Sequence, residues 1–447
     1  MAFNEVVDKA SCVCTKSELD LFSVPPTQTS ILESRTVQFN PISTLAEGSP
    51  IEFVVAGSPS EYIDLPMTRL FIKAKITAAD GSNLPAAAQV APVNLLLHSL
   101  FSQLEVSLNG KVVSSSNNTY AYRSYIETLL NYSNEAKSTH LTSALFYKDT
   151  PGKFDSANPL TEEGGNQGLK KRHSFTSQSK TVDLFGPIHS DIFFQNRLLL
   201  NGVDLKLKLT RGKNDFCLMS SQPANGYKIQ ILEASLHVRR VKVAPFIIES
   251  HARALELSPA KYPISRVECK SYAVTPGHLT FTKENVFLDP LPRRLIIGFI
   301  ESNAFSGSYE KNPYNFETQN INYLAVFRNS ELITGKPLTP KFSVQGGRNY
   351  IRAYETLFSG TDIFTGDKGH NLDRDDFVGG NCLFAFNLTP DLSTGGEHFN
   401  IVDSGTLSIE VHFDIALQET VNLIVYAEFD NIIQIDKPQN IITDYSR

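Results

Sequence analysis

Apolar and polar residues alternate along much of this chain, in short runs that are separated by turn-forming residues. The run at residues 69–77 (RLFIKAKIT) shows the pattern clearly. One side of it carries Leu70, Ile72, Ala74 and Ile76, and the other carries Phe71, Lys73 and Lys75. A period of two residues is that of a β-strand with one buried face, so this run predicts a half-buried strand.

Similar runs predict further strands in the first half of the chain, beginning at Val37, Ile51, Glu61, Gln103, Ser174, Arg197, Val203 and Lys228. Asn109-Gly110, between two alternating runs, predicts a hairpin with a turn of the primed type. Short helices are predicted at residues 93–101 and 136–146. Residues 148–171 are predicted to form a long, polar and mobile loop.

A longer helix is predicted at residues 122–130, because Tyr122, Tyr125, Ile126, Leu129 and Leu130 repeat at helical spacing. Asn118 or Thr119 can cap its N-terminus. The apolar stripe predicts an amphipathic helix that lies on a sheet.

The helix segment YRSYIETLL has a near copy, YIRAYETLF, at residues 350–358. Its residue numbers differ by 228, and three further echoes keep the same order along the chain, at separations of 225, 220 and 202 residues: Arg69 with Arg294, Asn109 with Asn329, and Leu205 with Leu407. Collinear echoes indicate one plan used twice. The drop in separation after the helix predicts an insertion in the first half at about residues 133–172, which contains the run GGNQG.

The second half repeats the short strands, which are predicted at residues 266–274, 278–281, 294–301, 322–327, 382–388, 406–415 and 420–429, with a helix at 349–357. Short strands separated by turns are typical of antiparallel sandwiches. The predicted fold is all-β, with two consecutive antiparallel jelly-roll β-sandwiches (a double jelly roll) and a few short helices in loops and in the linker. The predicted organisation is an N-terminal arm at residues 1–34, a first jelly roll at 35–244, a linker helix at 245–259 and a second jelly roll at 260–447.

Composition narrows the class of protein. The 447 residues are 41% apolar and 20% charged, and 41 basic residues stand against 47 acidic ones. The basic clusters Lys170-Lys171-Arg172 and Arg239-Arg240 are interpreted as solvated surface, so no sequence-specific nucleic-acid contact is expected. The chain lacks a membrane-spanning apolar run and a signal-peptide pattern, which predicts a protein that is not secreted. Five scattered cysteines fit free thiols in a reducing compartment.

The search for chemistry yields no catalytic residue, metal site or cofactor. The ten histidines form no HxH or HxxH pair, which argues against a cupin enzyme. Cys12 and Cys14 have no partner pair for zinc, and Gly164-Gly165 does not open a phosphate-binding helix. The acidic group Asp367, Asp373, Asp375 and Asp376 lacks the spacing of a calcium loop and is interpreted as a solvated loop.

The chain resembles the double jelly-roll major capsid proteins of Polinton (Maverick) elements and adintoviruses. The resemblance is carried by LDLFSVPPTQTSI from Leu19, LLLNGVDLKLKLTR from Leu198, FCLM from Phe216, AKYPISRVE from Ala260, GSYEKNPYNF from Gly307 and RAYETLFSGT from Arg352. It implies a homotrimeric, hexon-like capsomer of an icosahedral shell around double-stranded DNA. It also implies a separate single jelly-roll penton protein and a place in the virion, after synthesis in the host cytoplasm or nucleus.

Two roles are expected for the segments outside the sandwiches. The insertion decorates the outer face or clasps neighbours in the trimer, and the arm docks against a neighbouring capsomer or an internal partner, unless it is only a disordered tail. The alternative function is a host-adopted or spike-like double jelly roll that binds carbohydrate or a receptor without catalysis. The absence of tryptophan argues against sugar-binding platforms.

Overall fold

In a computed structural model, the segments in which apolar and polar residues alternate form antiparallel sheets. The structure describes residues 8, 10–12, 14–114, 117–161, 163–343, 348–364, 366–367, 369–395 and 398–443. Of the predicted arm, residues 1–7, 9 and 13 lie outside the described residues.

The strands of the first half are β1 Ile31–Phe39, β2 Ile51–Val55, β3 Glu61–Ala78, β4 Val90–Pro92, β5 Phe101–Leu108, β6 Lys111–Val112, β7 Val182–Gly186, β8 Leu205–Arg211, β9 Leu218–Ser220 and β10 Tyr227–Val243. Those of the second half are β11 Ala260–Val274, β12 Thr280–Leu288, β13 Arg294–Glu301, β14 Ile321–Arg328, β15 Glu331–Leu332, β16 Leu383–Asn387, β17 Thr406–Phe413, β18 Val421–Ile435 and β19 Ile441–Thr443.

The helices lie in the connections between strands. They are α1 Leu96–Ser99, α2 Tyr120–Asn131, α3 Asn134–Ser138, α4 Gln167–Thr176, α5 Asn214–Cys217, α6 Pro245–Leu257, α7 Ser302–Ser306, α8 Ile351–Ser359 and α9 Arg374–Val378. Pro245 begins α6, where its missing amide hydrogen is not needed.

Each half contains two main sheets whose four principal strands follow the same order, and the first half adds the two-stranded sheet β4-β9. In the first half the orders are β1-β10-β3-β7 and β2-β8-β5-β6. In the second half they are β11-β18-β13-β16, with β19 added beside β18, and β12-β17-β14-β15. All pairs within these sheets are antiparallel, and this strand order is that of a jelly roll. The prediction of a double jelly roll is confirmed.

The duplicated helix also occupies the same place in each half. Helix α2 lies between β6 and β7, and α8 lies between β15 and β16. The hairpin at Asn109-Gly110 is confirmed as well, because β5 pairs with β6 and both turn residues have positive φ, 45° and 78°.

Strand β3 is one continuous strand where the sequence predicted two. Pro66 lacks an amide hydrogen and would interrupt a regular ladder. The pairing of β3 with β10 shifts register between His237 and Arg239, which face Arg69 and Asp64. The resulting bulge accommodates the proline, so the strand continues through it.

The predictions for the insertion and for the residues that follow it were less accurate. The strand predicted from Ser174 begins only at Val182, because residues 167–176 form α4, which is capped by the side chain of Asn166. The helix predicted at residues 136–146 is divided into α3 and a 3-10 turn at His140–Ala144. The strand predicted from Arg197 is reduced to one bridge between Leu199 and Ile63.

Candidate functional site

The described residues contain no group of three His, Cys, Asp or Glu side chains that could hold a metal ion. The acidic group of residues 367–376 is a helix cap, since the carboxylate of Asp373 accepts from the amide of Asp376 in a capping box. The carboxylate of Asp376 is buried and pairs with Lys148, so the interpretation as a solvated loop was wrong for this residue. All five cysteines are free, with Cys12 and Cys14 exposed. In the described part of the chain, no helix is long and apolar enough to cross a membrane.

The structural centre of the molecule is α2. Thr119 stands at its N-cap position, although its side chain makes no capping hydrogen bond and donates instead to the carbonyl of Cys269, and every residue from Tyr120 to Leu130 is buried. The prediction of an amphipathic helix lying on one sheet was therefore wrong. Both faces of the helix contact both jelly rolls, since Tyr125 of the apolar stripe stacks on Tyr314 and Glu127 of the polar face meets His189 and Tyr426. A polar face removed from water needs internal partners.

Arg123 supplies the charge at the centre of that face. Its Nε donates to Glu127 Oε1 at 2.8 Å, and its Nη2 lies 2.7 Å from Asp191 Oδ1. Burial opposes the charge on Arg123, but the carboxylates of Glu127 and Asp191 outweigh it and raise its pKa. Asp191 Oδ1 also accepts from the amide of Val267 in β11 at 3.2 Å, which joins the two jelly rolls.

Glu127 carries the network further. Its Oε2 lies 2.6 Å from His189 Nδ1, and its Oε1 accepts from the hydroxyl of Tyr426 in β18 at 3.3 Å. Burial alone would raise the pKa of Glu127, but Arg123 and the hydrogen bond with His189 hold it below its usual value. Glu127 therefore stays charged although it is inside the protein.

The network ends inside the second jelly roll. The hydroxyl of Tyr426 also lies 3.1 Å from Glu428 Oε1 and shares its one proton between Glu127 and Glu428, and both carboxylate oxygens of Glu428 accept from Arg294 at 3.2 Å. Arg294 Nε donates to the carbonyl of Gly360 at 2.9 Å, directly after α8. One chain of hydrogen bonds and ion pairs thus runs from α2 to the second duplicated helix.

Aromatic packing accompanies this network. Tyr125 of α2 stacks on Tyr314, with ring centroids 4.1 Å apart and planes at 7°. The hydroxyl of Tyr314 lies 2.5 Å from Ser99 Oγ, so the GSYEKNPYNF segment reaches into the first jelly roll. Stacked aromatic pairs contribute about 0.5–1.5 kcal/mol beyond the area that they bury.

The insertion forms the other half of the contact between the jelly rolls. Arg172 is fully buried, and it donates from Nε to the carbonyl of Pro92 at 2.9 Å and from Nη1 to that of Tyr147 at 2.6 Å. Its Nη2 donates to Asp149 Oδ1 at 2.7 Å. The interpretation of Lys170-Lys171-Arg172 as solvated surface was wrong for Arg172, because it neutralises a buried carboxylate.

Residues 148–155 pack against the second jelly roll and form hydrogen bonds with it. Asn312 donates from its side-chain Nδ2 to Asp149 Oδ2 at 3.2 Å and from its backbone N–H to Asp155 Oδ1 at 2.8 Å. The amide of Gly152 donates to the carbonyl of Gly379 at 2.7 Å. Phe154 is buried against Gly380, where an added Cβ would come within 2.5–2.8 Å of its ring. The segment predicted to be a mobile loop is therefore packed, and it clasps the second jelly roll of its own chain.

The chain was compared with known proteins by sequence and by structure. No family model matches the chain. It is 26% identical over 440 residues to the uncharacterized protein F54H12.2 of Caenorhabditis elegans, across 94% of this chain and 99% of that protein. Among solved structures, a chain of the Sputnik virophage structure determined by cryo-EM matches with a TM-score of 0.65 and 14% identity, across 99% of this chain and 94% of that one.

Two solved capsid proteins are also similar. The Faustovirus major capsid protein matches with a TM-score of 0.56 and 10% identity, across 96% of this chain and 93% of its own. The mavirus major capsid protein matches with a TM-score of 0.52 and 13% identity, across 99% and 97%. The chain has the double jelly-roll fold of these capsid proteins. In this double jelly roll, α2, the insertion and the GSYEKNPYNF segment join the two sandwiches through polar, ionic and aromatic contacts.

Proposed function

We propose that the chain is a structural major capsid protein that assembles as a homotrimeric, hexon-like capsomer. The observation that carries the proposal is the identical strand order of its two jelly rolls. Three copies around a threefold axis would place six similar sandwiches in a ring, so a trimer can fill a sixfold position in a closed shell. The contacts around α2 support this role, because they hold both sandwiches of one chain in a single orientation.

The finer assignment rests on the sequence blocks that resemble Polinton and adintovirus proteins. On that basis the capsomers tile an icosahedral shell around double-stranded DNA, with a separate single jelly-roll penton protein at the vertices. The protein belongs in the virion, acts without catalysis or a cofactor, and makes no sequence-specific contact with nucleic acid. Residues 35–244 and 260–447 act as its two sandwiches, joined by residues 245–259 and preceded by the arm.

The decisive experiment is to express the full chain and measure its mass in solution over a range of concentrations. The expected result is a species of three times the 49.6 kDa chain mass, with a hexagonal outline in negative-stain images. Stable monomers at micromolar concentration would contradict the proposal. Specific binding on a glycan array by a monomer would instead favour the carbohydrate-binding or receptor-binding alternative.

A further inference from the structure

An apolar groove lies between α6 and the adjoining ends of the two jelly rolls. Its volume is about 550 Å³, and its apolar lining includes Leu198, Leu200, Val243, Ile247, Leu255 and Tyr262. Ligand pockets of proteins measure about 300–1,000 Å³, so this groove can hold several side chains. No residue of α6 is fully buried, so the helix spans the groove without filling it.

The rim of the groove is basic. Arg197 and Lys261 line it, and neither forms an ion pair with another residue in the described ranges. On the α6 side, His251 Nδ1 lies 2.9 Å from the hydroxyl of Tyr62. A complementary ligand would therefore be an apolar segment that carries negative charge.

The N-terminal arm contains such a segment at residues 17–24 (SELDLFSV). Its large apolar side chains are exposed, at 69% for Leu19, 76% for Leu21, 96% for Phe22 and 86% for Val24. Its charged residues are Glu18 and Asp20. Four neighbouring apolar side chains in water form an unusual patch for an exposed segment, and such patches mark binding surfaces.

The arm leaves its own chain beside the groove, but its residues 17–24 do not line that groove. Ser30 and Ile31 line the groove. The side chain of Gln28 accepts from the amide of Ile31 at 2.6 Å and donates to its carbonyl at 3.0 Å, which ties the end of the arm to the first residue of β1. Pro25 and Pro26 then favour an extended backbone. Because residues 17–24 are exposed and lie outside the groove of their own chain, they can contact a neighbouring copy, and every copy has the same groove.

We propose that the groove receives residues 17–24 of a second copy of the chain. Leu19, Leu21 and Phe22 enter the apolar lining, and the carboxylates of Glu18 and Asp20 approach Arg197 and Lys261. The interaction is heterologous, because one copy gives an arm and another gives a groove, so it can link copies into a ring or a lattice. The inference rests on the proposed capsid function, which brings the copies together.

Disulfide cross-linking of full-length chains tests the inference. Cys12 and Cys14 are first replaced by serine, and the buried Cys217, Cys269 and Cys382 are kept. One chain then carries Ser23→Cys in the arm, and another carries Ala254→Cys, which lines the groove on α6. The mixture is oxidised and analysed by denaturing electrophoresis. The expected product is a covalent dimer of the two different chains.

Ala252→Cys is the matched control, because Ala252 is exposed on the same helix but does not line the groove. Its cross-linking with the arm should be at least about tenfold weaker. Adding Phe22→Asp to the arm should reduce the specific cross-link by about tenfold, since a carboxylate is unfavourable among apolar side chains. Equal yields from Ala254→Cys and Ala252→Cys would overturn the proposal.

The two proposals fail in different ways. Trimers of normal mass without the specific cross-link would refute the arm interaction and leave the capsomer intact. Monomers without a cross-link would refute both. A chain that carries both cysteines and forms only an internal link, seen as a monomer with altered mobility, would show that each arm occupies its own groove and would refute exchange between copies.

Discussion

Asn109 and Asn329 occupy equivalent turns of the two jelly rolls and make the same pair of hydrogen bonds. The amide of Asn109 donates to the carbonyl of Asp204 at 3.0 Å, and its side chain accepts from the amide of Asp204 at 2.8 Å. Asn329 makes these bonds with Thr406, at 3.0 and 2.9 Å. Both asparagines have a left-handed backbone, with φ of 45° and 50°. The duplication therefore extends to individual side chains.

Replacing either asparagine should have a similar effect on stability. Asn109→Ala and Asn329→Ala each lose the hydrogen bond that the side chain accepts and one that it donates, and alanine tolerates a left-handed backbone less well than asparagine, which together cost about 1–2 kcal/mol. Asn→Gly at the same positions loses the same hydrogen bonds but tolerates the backbone, so its cost should be smaller. Urea denaturation measures all four variants. A glycine variant less stable than its alanine counterpart would contradict this account.

Arg172 should be among the most sensitive positions of the chain. Arg172→Met leaves the carboxylate of Asp149 buried without its cation, which costs about 3–5 kcal/mol. Arg172→Lys keeps the charge but cannot make three divergent hydrogen bonds, so it should lose about 2 kcal/mol. Lys170→Met, on the exposed side of α4, is the control and should change stability by less than about 0.5 kcal/mol. If urea denaturation gave Arg172→Met the same free energy of unfolding as the unchanged protein, Arg172 would not be needed to neutralise the carboxylate of Asp149.

The contact between the insertion and the second jelly roll can be tested at Phe154. Phe154→Ala should reduce the free energy of unfolding by about 3–5 kcal/mol through the cavity that it leaves. Because the ring anchors residues 148–155 on the second jelly roll, limited proteolysis should then cut this segment faster. Gly380→Ala should have the same effect from the opposite side, since its Cβ would collide with the ring. Unchanged proteolysis in both variants would show that the anchor is unimportant.

Glu317 gives the contact between the jelly rolls a pH dependence. Burial and the nearby carboxylates of Glu301 and Asp155 raise the pKa of Glu317 to about 7, from an ordinary value of 4.5. The folded protein therefore binds more protons than the unfolded chain between these values. This contribution to stability is fully present below pH 4.5 and is lost as the pH rises through 7.

Glu317→Gln should remove the loss of stability that accompanies a rise in pH through 7. Relative to the unchanged protein, the variant should gain about 1–2 kcal/mol between pH 5 and pH 8, after allowance for solvent screening of a partly exposed group. Glu310→Gln, an exposed neighbour, is the control and should show no such trend. The check is urea denaturation at each pH. A difference between variant and parent that does not depend on pH would exclude Glu317 as the titrating group.

The sandwiches were predictable because their strands are encoded locally. β13 has the predicted bounds, Arg294–Glu301, since its apolar residues stand between a proline-rich turn and a polar helix start. The hairpin at Asn109-Gly110 was equally clear, because only a few residue pairs suit a primed turn. The likeness of the two helix segments indicated the duplication before any strand was paired.

The joining surface was not predictable in the same way. Helical periodicity identified the apolar stripe of α2, but the partners of its polar face, Asp191 and Tyr426, are distant in sequence. α4 was missed because its sequence, QGLKKRHSFT, is mostly polar and its stability depends on a cap and on burial of Arg172. A charged residue next to lysines has the same pattern whether it is solvated or neutralised inside the protein. Only the position of Asp149 decides between these outcomes.

The two copies of the duplicated helix have unequal surroundings, because α2 is enclosed on all sides whereas α8 keeps residues such as Ile351 and Arg352 in contact with solvent. The two copies are therefore not interchangeable. A first half expressed alone would keep the ion pairs of Arg123 with Glu127 and Asp191, but Glu127 would lose Tyr426 and Asp191 would lose the amide of Val267. The two halves share one fold, but each supplies side chains that the other needs to cover its part of the contact.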